Sequence, residues 1–459
     1  MTISTDNPSS RPSSLLGLLN RVPGSTRLSI TQIDDRKVVA VFSNPGPQRG
    51  ALREEDGPKI VTAAKLARSN GIPFIMVLST SGASISDGVP ALSGWGRAAK
   101  AIADISGIVP VIIGLTGPAL SGPALLLGLA DVVITTPESY AFVSGPRMVE
   151  GFTGVKTTNA DLGGSHVQAS KSGVSYLEVA DESELFDKIA EVLSYLPNST
   201  DTLPKRLQSD DRPERMCESL SDIIPASATG SYEIRNVIEE ISDEGEFLEL
   251  RAKWAPQLVT ALARIGGRSV GIIANQPQAM AGTLDIQASQ KGARFVRFCD
   301  AFNLPLITLV DTPGFLPGKD IEWRGMIRHG AELAFAYAAC GVPRICVILR
   351  KAYGGAYIVM DSKGMGSDMV FAWPQAEIAV MGAQGAAQIL MRRASDEERA
   401  SYQNSYQETY LTPWIAAERG FVDAVIDPIE TRRKISQSLE LLIAKKERIR
   451  PSKHANSPM

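Results

Sequence analysis

The feature that most constrains this chain is that much of it is written twice. Gly50, Lys59, Pro73 and Gly82 reappear, shifted by 232 positions, as Gly282, Lys291, Pro305 and Gly314. Their contexts agree: Gly71-Ile72-Pro73-Phe74-Ile75-Met76-Val77-Leu78 matches Asn303-Leu304-Pro305-Leu306-Ile307-Thr308-Leu309-Val310. Gly107 and Pro110 pair with Gly341 and Pro343 at an offset near 233–234, and Asp131, Pro137 and Gly145 pair with Asp368, Pro374 and Gly382 at 237. A few extra residues in the second half explain the drift. Solenoid repeats run about 20–50 residues, so a period this long means two homologous domains. The 459 residues accommodate them, at roughly 150 or more residues per domain.

Each half carries the same outline. Strands are expected at 38–43, 74–79, 111–115 and 132–135, and again at 270–275, 306–311, 344–349 and 369–372. Helices are expected between them at 58–69 and 94–105, and at 288–302 and 324–339. Short β-branched runs alternating with helices predict an α/β fold with mostly parallel sheets covered by helices. The boundaries read as a flexible N-terminus over 1–34, a first domain over 35–196, a linker over 197–231, a second domain over 232–445 and a tail over 446–459. Residues 393–410 form a polar helical excursion with no first-half counterpart. The run 105–130 is uncharged and long enough to cross a bilayer. Gly107, Pro110, Gly114, Gly117, Pro118, Gly122 and Pro123 interrupt it, so it reads as a buried strand, turn and helix.

Charge and cysteine usage exclude several function classes. The 47 basic and 50 acidic residues give a net charge of −3, so nothing points to a nucleic-acid partner or a basic membrane surface, and the basic run Lys445-Lys446-Glu447-Arg448-Ile449-Arg450 reads as a solvated face. Cys217, Cys299, Cys340 and Cys346 have no C-x-x-C spacing and read as buried free thiols of a reducing compartment. His166, His329 and His454 have no metal-ligand spacing. The N-terminus has no signal-peptide pattern, so a cytoplasmic protein is expected.

The chemistry gathers at two equivalent turns. In the second half, the apolar run 343–349 leads into Arg350-Lys351-Ala352-Tyr353-Gly354-Gly355-Ala356-Tyr357 and then a helix. A strand turning into a helix through Gly-Gly leaves backbone N–H groups unpaired at the helix start, where the dipole favours a developing oxyanion. A tight turn with no ligand is the alternative. The first-half counterpart is Gly117-Pro118-Ala119-Leu120-Ser121-Gly122-Pro123. Ser121 lies outside any G-x-S-x-G elbow and no histidine recurs near it, so no Ser-His-Asp triad emerges. Asp311 precedes Thr312-Pro313-Gly314 and reads either as a turn-capping carboxylate or as a site group. What remains is chemistry in which backbone donors hold an enolate-like oxyanion without a strong side-chain base.

These residues resemble the carboxyltransferase (β) subunit of biotin-dependent acyl-CoA carboxylases of the propionyl-/acetyl-CoA carboxylase type. The likeness rests on Arg350 to Tyr357, on Ala274-Asn275-Gln276-Pro277, on Asp311 to Gly318 and on Ala372 to Gly382. It implies two crotonase-like domains and a homo-oligomer, a hexamer built from face-to-face dimers. It also implies a substrate pair: carboxybiotin on a separate carrier chain, charged by a separate biotin carboxylase, and an acyl-CoA or carrier-protein-bound acyl thioester. The second domain would hold biotin, with Gly355 and Ala356 as donors and Gly354, Tyr357 and Ile358 lining the site. The first would hold the thioester enolate, with Ser121 and Gly122 as donors and Leu120, Gly82 and Ala83 as further contacts. The expected reaction moves CO2 from carboxybiotin to the α-carbon of the thioester.

The departures from the family fall on the acyl side. Ser79-Thr80-Ser81-Gly82-Ala83-Ser84 stands where the family has Asp-Ser-Gly-Gly-Ala-Arg, and Pro123 offers no N–H. Ile358 stands where propionyl-type members commonly carry Asp. The resemblance therefore leaves two alternatives beside carboxyl transfer: decarboxylation of a malonyl-type thioester by the reverse chemistry, and a non-catalytic partner of an active β subunit.

Overall fold

The computed structural model describes residues 19–225 and 230–445. The chain divides into two compact units, Met1–Ser194 with Asn198–Asp201, and Tyr195–Pro197 with Thr202–Met459. The stretch 202–225, expected as linker, groups with the second unit. The tail 446–459 and most of the expected N-terminal segment lie outside the described residues.

Among the described residues the first unit holds a seven-stranded sheet in the order β1-β2-β3-β4-β5-β7, with β6 paired to β4. Its strands are β1 (Thr26–Ile33), β2 (Arg36–Ser43), β3 (Phe74–Thr80), β4 (Val111–Leu120), β5 (Val132–Thr135), β6 (Tyr140–Phe142) and β7 (Leu177–Glu178). Helix α1 (Asp56–Asn70) links β2 to β3, and α2 (Val89–Ala103) links β3 to β4. The pairs from β2 onward are parallel, whereas β1 pairs antiparallel with β2. This β1–β2 hairpin starts inside the segment expected to be flexible over 1–34. Its first strand alternates buried and exposed residues only loosely, the weak signal of a sheet edge. The uncharged run 105–130 becomes β4, a 3-10 turn over Gly122–Leu125 and one helical turn over Leu126–Leu129. No helix among the described residues is long and apolar enough to cross a membrane.

The second unit repeats the plan in eight described strands, ordered β15-β13-β12-β11-β10-β9-β8 with β14 paired to β12. They are β8 (Phe247–Glu249), β9 (Leu258–Ile265), β10 (Arg268–Asn275), β11 (Leu306–Thr312), β12 (Arg344–Tyr353), β13 (Met369–Ala372), β14 (Glu377–Ala379) and β15 (Ala424–Val425). Helix α3 (Ile286–Ala301) joins β10 to β11 and α4 (Met326–Ala338) lies between β11 and β12. Helix α5 (Gly354–Val359) follows β12 directly. Only β8, β9 and β10 pair antiparallel. The polar excursion is helix α6 (Asp396–Tyr410), started by a capping box in which Ser395 and Glu398 satisfy each other's backbone N–H.

The repeat explains why the two units share detail. The Pro73 carbonyl accepts the Val39 N–H at 3.0 Å and that of Pro305 accepts the Gly271 N–H at 2.9 Å. Asp131 accepts the Val111 N–H at 2.9 Å, and Asp368 accepts the Arg344 N–H at 2.9 Å. Gly50 and Gly282 have φ of +74° and +73°. A Cβ on them would stand 2.3 Å from the Ser79 carbonyl and 2.5 Å from that of Asp311. Only glycine fits where the backbone turns this way and lies this close to the neighbouring strand. All four cysteines are free and buried.

Candidate active site

Each unit builds its turn from the same local irregularity. Between β11 and β12 the register jumps: Val310 pairs with Ile348, and the next pair is Thr312 with Ala352. One residue of β11 therefore faces three of β12. The first unit does the same, with Leu78 on Leu115 and then Thr80 on Ala119. Such a bulge bends the strand and re-aims the residues beyond it. It also fixes the correspondence between the turns, because Ala119 matches Ala352. Leu120 then matches Tyr353, Ser121 matches Gly354, Gly122 matches Gly355, and Pro123 matches Ala356. The backbone supports this match, since Ser121 and Gly354 both have φ of +59°.

In the second unit Gly354, Gly355 and Ala356 form the first turn of α5, with Tyr353 at the N-cap and no side chain capping it. The leading N–H groups of a helix have no partner within it. Gly355 and Ile358 lie on the exposed side of α5, whereas Ala356 and Tyr357 are buried. Helical geometry sets this division, because positions three apart share a face. Tyr357, expected to line the site, thus packs inward beside Cys346, and burial raises its phenol. Tyr353 donates a hydrogen bond to Glu377, tying the end of β12 to β14. A Cβ on Gly355 would stand 3.5 Å from the Phe315 ring, so the turn lies beside the loop after β11. That loop forms a parallel bridge to Leu284, in which the Leu284 N–H reaches Gly314 O and the Leu316 N–H reaches Leu284 O. The Phe315 N–H between them points away from Leu284.

The first unit repeats the arrangement with Leu52 bridged to Ala83: Leu52 N–H to Gly82 O, and Ser84 N–H to Leu52 O. The Ala83 N–H likewise points the other way. Gly82 is buried beneath the turn, and a Cβ on it would meet the Leu120 carbonyl at 3.2 Å, so it supports the turn. Ser121 was expected to donate, but its N–H already bonds the Phe142 carbonyl at 3.0 Å. Its register equivalent is Gly354, one position before the expected donors. Since Pro123 occupies the Ala356 position without an N–H, the turn itself is left with Gly122. Trp95 borders that residue, its ring 2.7 Å from where a Cβ would stand. Ser84, where the family has arginine, is buried and shares hydrogen bonds with Gln48 and Ser86.

Asp311 does not cap its own turn. Its carboxylate crosses to β12, where Oδ2 accepts Arg350 Nε at 3.0 Å and Oδ1 accepts the Lys351 N–H at 3.1 Å. Burial raises the Asp311 carboxyl above its ordinary value, against the pull of the Arg350 guanidinium. Arg350 also donates to the Gly230 carbonyl at 2.6 Å and lies over the Tyr232 ring. Reading motifs one at a time missed Arg350 as the partner of Asp311 and Tyr232 as the ring beneath Arg350.

Two glycine-permissive turns at strand C-termini, each opening a helix and each flanked by a bridged loop, match a known family. The chain aligns with the carboxyl transferase domain family over residues 32–457. It belongs to that family. Over 428 residues this carboxyl transferase domain protein is 41% identical to the methylmalonyl-CoA decarboxylase subunit alpha of Veillonella parvula, covering 93% of this chain and 84% of the relative. It is 41% identical to the propionyl-CoA carboxylase beta chain of Saccharopolyspora erythraea over 446 residues, 93% and 82% of the two chains. Its fold matches the transcarboxylase 12S hexamer crystallised with hydrolysed methylmalonyl-coenzyme A, with a TM-score of 0.93 and 40% identity over 95% of this chain and 85% of the other. The two crotonase-like domains implied by the resemblance are therefore present.

Proposed function

We propose that this chain is the carboxyltransferase of a biotin-dependent acyl-CoA carboxylase. It moves CO2 from carboxybiotin, delivered on a separate carrier chain, to the α-carbon of an acyl thioester. The observation that carries the reading is the α5 turn, where Gly355 presents its N–H without a Cβ and Ala356 follows at the helix start. Carboxybiotin supplies the CO2 and, once decarboxylated, a ureido group basic enough to take the α-proton. The second unit's part is to hold negative charge on the ureido oxygen through the Gly355 and Ala356 N–H groups. The first unit's part is to hold the thioester enolate through the Gly122 N–H, with the Ala83 N–H as its second donor. Neither part needs a side-chain base, which fits the lack of a triad.

Gly354 supplies the positive φ that starts the turn. Ile358, exposed on the same face of α5 as Gly355, borders the substrate end. There an apolar side chain favours an apolar acyl terminus over one needing a polar partner. Leu120 flanks the acyl side at the end of β4. Assembly as a hexamer with a biotin carboxylase and carrier partner belongs to this reading, as does a cytoplasmic setting in keeping with four free thiols.

A second reading is decarboxylation of a malonyl-type thioester by the reverse chemistry, supported by the decarboxylase relative; Pro123 in the acyl-side turn speaks instead for the non-catalytic alternative. The test supplies purified protein with biotin carboxylase, biotinylated carrier, labelled bicarbonate and a panel of acyl-CoA and acyl-carrier thioesters. Label in a thioester supports the transferase, and Gly355→Pro then abolishes it. Label passing from a carboxyl-labelled malonyl-type thioester to the biotinylated carrier, with none gained by any acyl thioester, supports the decarboxylase. Inertness in both directions, with co-purification of a second β-like chain, supports the non-catalytic alternative.

A further inference from the structure

The bulge that aims each strand at its turn creates a problem that the two units solve differently. Residues 349–351 of β12 face the single residue Asp311 of β11, so backbone groups there lose their ladder partners. In the first unit the matching residues are Thr116, Gly117 and Pro118 opposite Ser79. Pro118 stands at the Lys351 position and has no N–H to satisfy. Gly117 stands at the Arg350 position and packs closely on Ser79, whose hydroxyl lies 2.4 Å from where a Cβ would be. No charge is used.

The second unit places a buried ion pair at the same point. Asp311 accepts the Lys351 N–H that the bulge stranded, and it also holds Arg350. Its own N–H bonds Asn275 Oδ1 at 3.2 Å, and Asn275 Nδ2 donates to the Gly282 carbonyl at 3.2 Å. A continuous buried network thus crosses from β10 through β11 to β12 and stops four residues before Gly355. Tyr232 lies against it, with its ring 5.2 Å from the guanidinium and its buried hydroxyl close to Asp311. A buried ion pair is a poor route to stability, since apolar replacements often do as well. What it offers here is directional hold on the backbone that leads into the donors.

We propose that Asp311 and Arg350 are positioning residues for the second-unit oxyanion turn, fixing the end of β12 so that the Gly355 and Ala356 N–H groups converge on one oxygen. This rests on the carboxyltransferase reading. The pair touches no reacting atom, and the first unit does without it because Pro118 and Gly117 close its bulge sterically.

The test compares Asp311→Asn, Arg350→Met and the double variant in carboxyl transfer, with melting temperature measured alongside. Each single variant leaves one buried group unpaired and lowers both kcat and stability. The double variant removes both charges and recovers most of the melting temperature. Its kcat nonetheless stays about 10²-fold down, the scale expected of a misplaced donor, while the carrier KM and the acyl-CoA Kd stay within about twofold of wild type. If kcat returns together with the melting temperature, or if Asp311→Asn retains wild-type kcat, the pair is structural only and the proposal falls. If wild-type protein is inert with every thioester, the functional reading fails instead. The positioning claim is then read from amide exchange: faster exchange over 350–357 in the double variant, with 117–126 unchanged, supports it, and equal rates over 350–357 overturn it.

Discussion

The two turns have one backbone plan and different chemistry. Ser121 and Gly354 share φ of +59°, both follow the same bulge, and each turn lies beside a bridged loop. The second unit spends glycine where the backbone demands it, has an alanine where an N–H is wanted, and sets an ion pair behind the turn. The first unit places serine at the glycine-favouring position, proline at the N–H position, and Ser79 with Gly117 where the ion pair would stand. Its bridged loop has Ala83 where the second unit has Phe315. A duplicated scaffold therefore constrains where a hole forms more tightly than which atoms line it. In the proposed function the biotin side would draw its donors from one helix start, and the acyl side Gly122 from the turn and Ala83 from the loop.

The most severe way to break this contrast is to give the second turn the first one's sequence. Ala356→Pro imports Pro123 at its register equivalent. The first unit shows that a proline fits there, and the first turn of a helix tolerates one. The expected result is a loss of kcat of about 10²–10³-fold, the usual effect of deleting one oxyanion donor, with a melting temperature close to wild type. An active Ala356→Pro enzyme removes Ala356 from the donor pair and leaves Gly355 with the Phe315 N–H.

A second contrast lies beneath the sheets. Lys59 and Lys291 occupy the same repeat position and are almost fully buried. Lys59 Nζ donates to the Thr26 carbonyl at 3.0 Å, and Asp56 lies beside it. Among the described residues Lys291 Nζ donates to carbonyls alone, those of Arg251 and Trp254 at 2.9 Å and Ala255 at 3.4 Å. Burial pulls Lys291 from 10.5 down to about 7, with Glu249 opposing and Arg251 and Arg235 assisting. A lowered lysine means the unfolded chain binds the extra proton between about 7 and 10.5. Its contribution to stability therefore rises with pH across that window and is flat below it. Denaturant midpoints at pH 7 and 8 should rise less in Lys291→Met than in wild type. The difference in slope is at most about 1.4 kcal/mol per pH unit. The buried thiols Cys299 and Cys346, pushed up by burial, oppose the trend at higher pH and are common to both proteins. Lys59→Met, tested the same way, should change the slope less, because burial also lowers Lys59 but Asp56 and Glu55 oppose it.

Much of this was legible because the repeat was. Paired Gly, Lys and Pro positions fixed the duplication, and β-branched runs ended by glycine turns placed the central strands. The antiparallel strands β1, β8 and β9 were missed, β1 and β8 at sheet edges and β9 between β10 and β8. A buried parallel strand shows as a continuous apolar run, whereas the half-exposed β1 and β8 do not, and an antiparallel pairing depends on a neighbour that a local window does not contain. At the site, the family signature pointed to Gly355, Ala356, Ser121 and Gly122 as donors, and the register pairs Ser121 with Gly354, one position before that expected pair. Only the bulge, a property of two strands together, shows that Ser121 matches Gly354. The Asp311–Arg350 contact was invisible for the same reason, although sliding the halves past each other puts Asp311 on Ser79 and flags the difference.

The smaller effects sharpen the comparison inside the first turn. Ser121 holds φ +59° and ψ −145°, a region that costs a non-glycine residue about 1–3 kcal/mol. Ser121→Gly removes that strain but adds chain entropy to the unfolded state, worth about 0.5–1 kcal/mol. The net expectation is a gain of about 1 kcal/mol in thermal unfolding, with transfer activity unchanged because the Ser121 N–H is committed to Phe142. A drop in activity would return Ser121 to the donor set.

Pro123→Ala, the reverse of the first swap, is expected to matter least. It restores an N–H at the Ala356 position, but the acyl side already has the Gly122 and Ala83 donors, so a third adds little. The kcat for carboxyl transfer should change by less than about threefold, a free-energy difference under about 1 kcal/mol. A rise of 10²-fold instead would mean that the two turns work alike and that Pro123 holds the acyl side below its capacity. The contrast between one-loop and two-loop donor sets would then be wrong, and the non-catalytic reading would gain ground, since the wild-type acyl side would be held nearly idle by Pro123.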